Sequence, residues 1–298
     1  MKLYTQLNNF EKIFRFKDSD HSYTHLPTGR KMTSATTVLK YAADEFRTDY
    51  WVTYKAVEAL GYEVKSDSSY FVQKGYIRID GTSFLYTDVY SGASGHIDPS
   101  APLLLKKQWE LDAAIGNTRG SIIHDYMENL WVGKIFVDRR WDHLTLDGED
   151  KIAFETSIKN AKRLGCQFWL DHQHLVPIKL EQIVGSEQLG VAGQMDALFY
   201  NTLTDEYVIY DYKTDRKLDR SNSFQNFHHP ISHIEDCAFN KYALQLSIYK
   251  VLLEKYTDIK IASCKIVWLL HSAENYQVID LPDMTTEARN LLAHNMNR

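Results

Sequence analysis

The stretch "VAGQMDALFYNTLTDEYVIYDYKT", residues 191–214, decides the reading of the chain. Two runs, "VAGQMDALFY" (191–200) and "EYVIYDYKT" (206–214), have the β-branched and aromatic content of buried strands. The short polar segment between them predicts an antiparallel hairpin. A symmetric turn pairs Tyr200 with Tyr207, and counting inward from that pair sets Asp196 opposite Asp211. A slip of one residue would put the two carboxylates on opposite faces. On the symmetric register they face each other roughly 5 Å apart and repel, so something positive must compensate. Lys213, two residues past Asp211 and on the same face, is one candidate. A divalent cation is the stronger one, because hard oxygen ligands suit Mg²⁺ or Mn²⁺. For "DYK" taken alone, a solvated ion pair at a strand end is the competing reading. Gly193, inside "GQMD", marks a place where another group comes close to the backbone.

Working outward, "LVPIKLEQIVGSEQLG" (175–190) reads as a third strand, which makes a β meander. "NKYALQLSIYKVLLEKY" (240–256) is a helix, and "KIASCKIVWLLH" (260–271) a further strand. Upstream, "LLLKKQWELDAAIG" (103–116) is an amphipathic helix ending at Gly116. A second helix, capped by Asn117 or Thr118, runs to about Trp131, and another spans 148–172. Near the N-terminus, "HSYTHLPTGRKMT" (21–33) predicts a hairpin turning at Pro27 to Gly29. Thr33 or Ser34 then caps a helix from Ala35, and residues 43–60 are helical. This order predicts an α/β (α+β) fold with a central mixed β-sheet flanked by helices.

No linker, repeat or low-complexity tract divides the 298 residues, which points to one elaborated domain. Its parts are an N-terminal hairpin and helices (1–60), an insertion with some hairpin and a mobile loop (61–105), a core (106–271) and a C-terminal tail (272–298). The formal charge of −5 means that any nucleic-acid contact needs a local basic groove. No signal-peptide core or 18-residue apolar run occurs, so secretion and membrane spanning are not expected. Three widely spaced cysteines, Cys166, Cys237 and Cys264, suggest neither a disulfide framework nor a CxxC metal site, and a reducing cytoplasm fits.

"GQMDALFY…YVIYDYKT" resembles motifs II and III of the PD-(D/E)XK nuclease superfamily, in the RecB-type branch whose motif II is GxxD. "TRGSIIHDYME" is similar to that branch's upstream G-x-x-x-H helix, and "YALQLSIY" to its downstream Q-x-x-x-Y helix. The four motifs stand in the family order over residues 116–250. The resemblance implies a restriction-endonuclease-like core and a Mg²⁺- or Mn²⁺-dependent enzyme that hydrolyses DNA, single- or double-stranded. It favours an exonuclease in recombination, repair or replication, and the compact standalone architecture suggests a virus-encoded one. The alternatives are a site-specific or structure-specific endonuclease and a non-cleaving nucleic-acid-binding regulator that kept the fold. The family's four-cysteine iron–sulfur arrangement is not matched, so no cluster is expected. Without a Walker A motif, neither a nucleotide nor a motor domain is expected.

Carried onto this chain, the resemblance makes Asp196, Asp211, His124 and the main-chain carbonyl of Tyr212 metal ligands. Glu187, on the strand before Asp196, is a further ligand candidate, with a strand-end salt bridge as the alternative. Lys213 would orient or deprotonate the attacking water or stabilise transition-state charge. As a base it would need a lowered pKa. Gln245 would hold Lys213, water or phosphate, with Tyr249 one turn away on the same face. Glu128 could orient His124 or be an ordinary helix acid. Arg119, Tyr249, Arg216 and Lys217 are the DNA-binding candidates. Arg119 would meet a phosphate at a helix N-terminus. The histidines of "FHHPISH" (227–233) lack a zinc spacing, so that segment reads as a mobile DNA-facing loop.

Overall fold

A computed structural model of the chain describes residues 2–59, 100–137, 141 and 143–296, together with the backbone of five short strands between 64 and 96. The chain divides into two compact units, residues 1–44 with 118–298, and residues 45–117. In chain order the elements are α1 (Lys2–Ile13), β1 (Phe14–Lys17), β2 (Ser22–His25), β3 (Arg30–Ser34), α2 (Ala35–Tyr41) and α3 (Thr48–Ala59). Next come β4 (Val64–Ser66), β5 (Phe71–Gln73), β6 (Ile77–Asp80), β7 (Leu85–Asp88), β8 (Ser94–His96), α4 (Ser100–Trp131) and α5 (Gly148–Asp171). The rest are β9 (Leu175–Ser186), β10 (Val191–Asn201), β11 (Glu206–Lys213), α6 (Ala238–Tyr256), β12 (Ile261–Trp268), β13 (Gln277–Asp280) and α7 (Thr285–Met296).

Among the described residues, eight strands of the first unit form a mixed sheet ordered β1-β2-β3-β10-β11-β12-β13, with β9 also on β10. The 191–214 hairpin forms on the expected register, with Tyr200 beside Tyr207 and Ala197 beside Tyr210. β9 pairs along β10 from Val191↔Ser186 to Asn201↔Leu175. The other edge of β10 is shared. Parallel β3 takes Val191 and Ala192, and β11 takes Ala197 to Asn201. Residues 193–196 therefore lie in a fork where that edge has no strand partner. β12 runs parallel to β11, setting Lys213 beside Trp268.

Period 2 sends alternate β10 and β11 residues into two cores. Leu198 and Ile209 join buried residues of α1, α2, α6 and α7, including Leu7, Val38, Leu252 and Leu292. Ala197, Phe199, Val208, Tyr210 and Tyr212 pack against Ile123 and Met127 of α4 and Leu164 and Phe168 of α5. Each fully buried Leu or Phe contributes roughly 1.5–3 kcal/mol, which is why a hairpin of this composition forms the centre of the sheet. Ser34 caps α2 as expected, its side chain accepting from the Thr37 amide.

Two expectations are corrected. The two helices read on either side of Gly116 are one 32-residue helix, α4. An interior glycine costs only about 1 kcal/mol, and a long helix regains that through its continuous hydrogen bonds. The segment 272–298 is not a tail: β13 pairs with β12, and α7 buries Ala288, Leu291 and Leu292. The N-terminal strands belong to the same sheet as the hairpin, through β3. The insertion expected at 61–105 lies within the second unit. There β4 to β8 form an antiparallel meander, and the loop read between its strands lies outside the described residues.

Candidate active site

β10 places Asp196 at the fork, where the free amide of Tyr212 donates to Asp196 Oδ2 at 2.7 Å. Counting along the two ladders sets Asp196 in line with Asp211 on β11 and with Glu181 on β9. Three carboxylates thus form one row across three strands. α4 brings His124 against it. Its Nδ1 is 3.3 Å from Asp196 Oδ1, and its Nε2 donates to the Tyr212 carbonyl at 2.8 Å. Lys213 Nζ lies 2.5 Å from Asp211 Oδ2 and over the Tyr242 ring, 4.8 Å from its centroid.

The electrostatics follow from burial and like charge. Burial works against the Asp196 carboxylate, but the His124 charge and hydrogen bond, with Lys213 and the Tyr212 amide, hold its pKa below the ordinary value. Burial and the Asp196 charge push Asp211 up to about 6 and Glu181 up to about 8. Burial opposes the His124 imidazolium, yet Asp196 raises it to about 9. Burial likewise opposes the Lys213 ammonium, and Asp211 and Asp196 outweigh it, raising its pKa. Carboxylates, not cations, surround Lys213, so it stays an ammonium, which favours the charge-stabilising role over that of a base.

The donor set fits a divalent cation. Ligand atoms of His124, Glu181 and Asp196 lie within 4.8 Å of one another. Asp211 Oδ2 is buried without a hydrogen-bond donor, although Lys213 pairs with it as a charge. Two or three hard oxygens with one imidazole suit Mg²⁺ or Mn²⁺. Glu181 takes the place read for Glu187. The latter sits in the β9–β10 turn, half exposed, 3.8 Å from Arg30 Nη1. Glu181 has a left-handed φ of 48°, and Gln194 Nε2 donates both to its carbonyl at 3.1 Å and to its carboxylate at 2.9 Å. Such backbone is costly for a non-glycine residue and persists where its surroundings hold it. The register count that pairs Asp196 with Asp211 also finds Glu181 when started from the 187–190 turn, which pairs Val191 with Ser186.

The remaining candidates separate. Gln245 does not reach Lys213; its Nε2 donates to the Tyr249 hydroxyl at 3.0 Å. Tyr249 is 3% exposed, which removes it from DNA contact. It is the group that approaches Gly193, where an added Cβ would lie 2.5 Å from Tyr249 Cε1. Arg119 lies inside α4 rather than at a helix N-terminus and is buried. Arg216 and Lys217 are exposed after β11, Lys217 paired with Asp219. The histidines of 227–233 diverge, His228 to Asp44, His233 to Glu287 and His229 onto His294. Buried Phe227 and Ile231 anchor that loop, correcting the mobile reading. A cavity of about 320 Å³ between α6 and α7 is lined by Val251, Glu254, Arg289 and Leu292, none of them in the carboxylate row.

Residues 103–287 match the family profile of the PD-(D/E)XK nuclease superfamily. The chain belongs to the PD-(D/E)XK nuclease superfamily. The mixed sheet flanked by helices is consistent with the restriction-endonuclease-like fold of these nucleases. The family is one of nucleic-acid hydrolases that generally use divalent metal ions. Comparison with curated protein sequences gives no match. Among solved structures, one titled "Crystal structure of SSO0001" is similar at 16% identity over 49% of this chain, with a TM-score of 0.25. The match spans 59% of that protein's chain, and the likeness is too distant to bear on the site. Among the described residues, no helix is long and apolar enough to cross a membrane.

Proposed function

We propose that this PD-(D/E)XK protein is a Mg²⁺- or Mn²⁺-dependent deoxyribonuclease of the RecB type, acting as an exonuclease in recombination, repair or replication. The observation that carries the reading is the row Glu181–Asp196–Asp211 with His124 on one side and the Lys213 ammonium on the other. The order of the GSIIH, GQMD, DYK and QLSIY motifs supports the RecB-type assignment. His124, Glu181 and Asp196 would hold the cation, with Asp211 and the Tyr212 carbonyl beside them. A divalent ion there would supply positive charge against the phosphate oxygens and make an attacking water more acidic.

The chain's own residues do the rest. Lys213 remains charged and donates hydrogen bonds to the oxygens on which negative charge grows as the phosphodiester is attacked in line. Asp211 holds that ammonium in place. His124 fixes both Asp196 and the Tyr212 carbonyl through its two ring nitrogens. Residues 1–44 and 118–298 form one nuclease domain on this reading, with 45–117 inserted, and the enzyme works in the cytoplasm.

The test uses end-labelled linear single- and double-stranded DNA and closed circles, with Mg²⁺ or Mn²⁺, for wild type and Lys213→Ala. Degradation of linear DNA alone by wild type is expected. Nicked circles would make it an endonuclease. Equal cleavage by both proteins, or none by wild type, would sink the nuclease assignment.

A further inference from the structure

We infer that Gln194 is a positioning residue for the cation site: its side chain locks Glu181 in left-handed backbone and so presets that carboxylate for a divalent ion. The inference rests on the metal-dependent reading of the carboxylate row and adds a residue that acts through Glu181. It starts from a strained strand position. Glu181 has a φ of 48°, which is unfavourable for a residue with a Cβ unless its surroundings impose it. The β9–β10 ladder pairs Met195 with Gln182 and Ala197 with Leu180, on either side of the place where Asp196 and Glu181 meet. Left-handed backbone inside a strand re-aims a side chain, and such devices recur beside active sites.

One amide holds both halves of that residue. Gln194 Nε2 donates to the Glu181 carbonyl at 3.1 Å and to its carboxylate Oε2 at 2.9 Å. Both partners are acceptors, so the amide must turn its NH₂ toward them, and both of its hydrogens are used. The two bonds tie the main chain of Glu181 to its own side chain. Returning the backbone to the β region, or swinging the carboxylate away, would break one of them. Among the described residues this is the one hydrogen bond that the Glu181 carboxylate receives, and no ion pair competes for it. Oε1 is left uncommitted.

Gln194 is itself fixed from behind. It pairs with Ile183 on β9, which makes Glu181 its diagonal neighbour, a distance that a long side chain spans. The Tyr249 ring packs on Gly193, the residue before it, and the Tyr249 hydroxyl accepts from Gln245 Nε2 at 3.0 Å. With no strand on the other edge of 193–196, these contacts and β9 are what steady the backbone from which the amide reaches. Each acid of the row therefore has its own donor. The Tyr212 amide serves Asp196, the Lys213 ammonium serves Asp211, and Gln194 serves Glu181. Groups that orient a metal ligand in this way are typically worth about 10–100-fold in metal affinity.

The experiment titrates the full chain with Mn²⁺ alone and follows free Mn²⁺ by electron paramagnetic resonance. Gln194→Met keeps the length and removes the donor, and should weaken binding by roughly tenfold to a hundredfold. Gln194→Asn, one methylene too short to reach both acceptors, should act in the same direction. Gln194 is half-buried, so neither variant empties a core position. Glu181→Gln should weaken binding as well, and in that background Gln194→Met should add less than about twofold, because the two residues act as a unit. In cleavage of end-labelled DNA, the Mn²⁺ concentration for half-maximal rate should rise with the loss of affinity, while kcat at saturating Mn²⁺ changes less than about threefold. Wild-type Mn²⁺ affinity in both Gln194 variants overturns the positioning role, even if their unfolding midpoints drop. So do losses at 181 and 194 that simply add. If Asp196→Asn loses Mn²⁺ while the Gln194 variants keep it, the positioning role falls and the nuclease reading stands. If folded wild type takes up no Mn²⁺, both fall together.

Discussion

Two lysine–aspartate pairs lie close together in the chain and have the same separation. Lys213–Asp211 and Lys217–Asp219 are each 2.5 Å apart. In the first, the side chains are 17% and 3% exposed; in the second, 80% and 51%. The exposed pair trades good solvation for a contact that water and salt screen, so it contributes little. The buried pair cannot recover solvation if it opens, and either partner left alone is an uncompensated interior charge. Distance thus says nothing about which pair matters. Burial decides, and burial at Lys213 comes from the sheet that also sets Glu181 and Asp196 beside it.

The largest test of this contrast is activity. Lys213→Ala or Asp196→Ala should lower cleavage of end-labelled DNA by roughly a hundredfold to a thousandfold or more, the range for losing one preorganised charge. Lys217→Ala should stay within about threefold of wild type under the same conditions. Comparable losses at 213 and 217 would break the contrast. Stability should part the pairs in the same direction. Asp211→Asn leaves the buried Lys213 ammonium without its ion-pair partner and with only Asp196 to offset it, which costs up to about 3–5 kcal/mol in urea unfolding. Asp211→Asn with Lys213→Met should recover most of that loss, whereas Asp219→Asn should leave the midpoint where it was.

The pH dependence of the metal-free protein has a definite sign. Glu181 moves from 4.5 to about 8, Asp211 from 3.8 to about 6 and His124 from 6.5 to about 9 on folding. All three are raised, so each contributes stability that is complete below its unfolded value and lost as pH climbs through its folded value. Stability should therefore fall from about pH 4 to about pH 9, by on the order of a few kcal/mol. Mn²⁺ should remove most of the fall, because a cation replaces the protons that these ligands otherwise hold. A flat profile without metal, followed by chemical unfolding at fixed ionic strength, would contradict the buried row.

How much of this was readable beforehand depends on how local the determinants are. The β10–β11 register follows from a short turn and strict alternation, so Asp196 and Asp211 fell opposite each other on counting alone. Glu181 was equally reachable by counting from the 187–190 turn, but it hides in the half-polar run "IKLEQI", whose alternation does not advertise a buried acid. Gly116 and the Asn117–Thr118 pair look like a stop and a start, since local capping preferences cannot register the continuous helical hydrogen bonding that carries α4 through them. In α7, Ala288, Leu291 and Leu292 have helical spacing, but three positions are a weak signal beside a polar majority. Arg119 and Tyr249 read from sequence as DNA-binding candidates, because the burial of a long polar side chain depends on neighbours far away in the chain.

Gly193 sharpens the same lesson at smaller amplitude. Its absent side chain is where the Tyr249 ring sits, so Gly193→Ala should cost about 1–3 kcal/mol by overpacking. Tyr249→Leu should suppress that cost in the double variant, measured as coupling in a thermodynamic cycle. Additive effects would mean that the ring yields without strain.

The smallest expected effect belongs to the exposed pair. If Lys217 meets a phosphate, it does so as a solvated charge that leaves Asp219 when DNA arrives. Lys217→Ala should then weaken binding to all sequences alike and reduce the slope of log K against log salt by about one. Asp219→Asn should tighten binding slightly at low salt, since it releases Lys217 from its intramolecular partner. Both effects should fade toward high salt, where counterions already screen the surface. Lys213, shielded from those counterions, should show no such fading. A Lys217→Ala variant with an unaltered salt slope would mean that this lysine only solvates the segment after β11, and the DNA track would then pass through Arg216 without it.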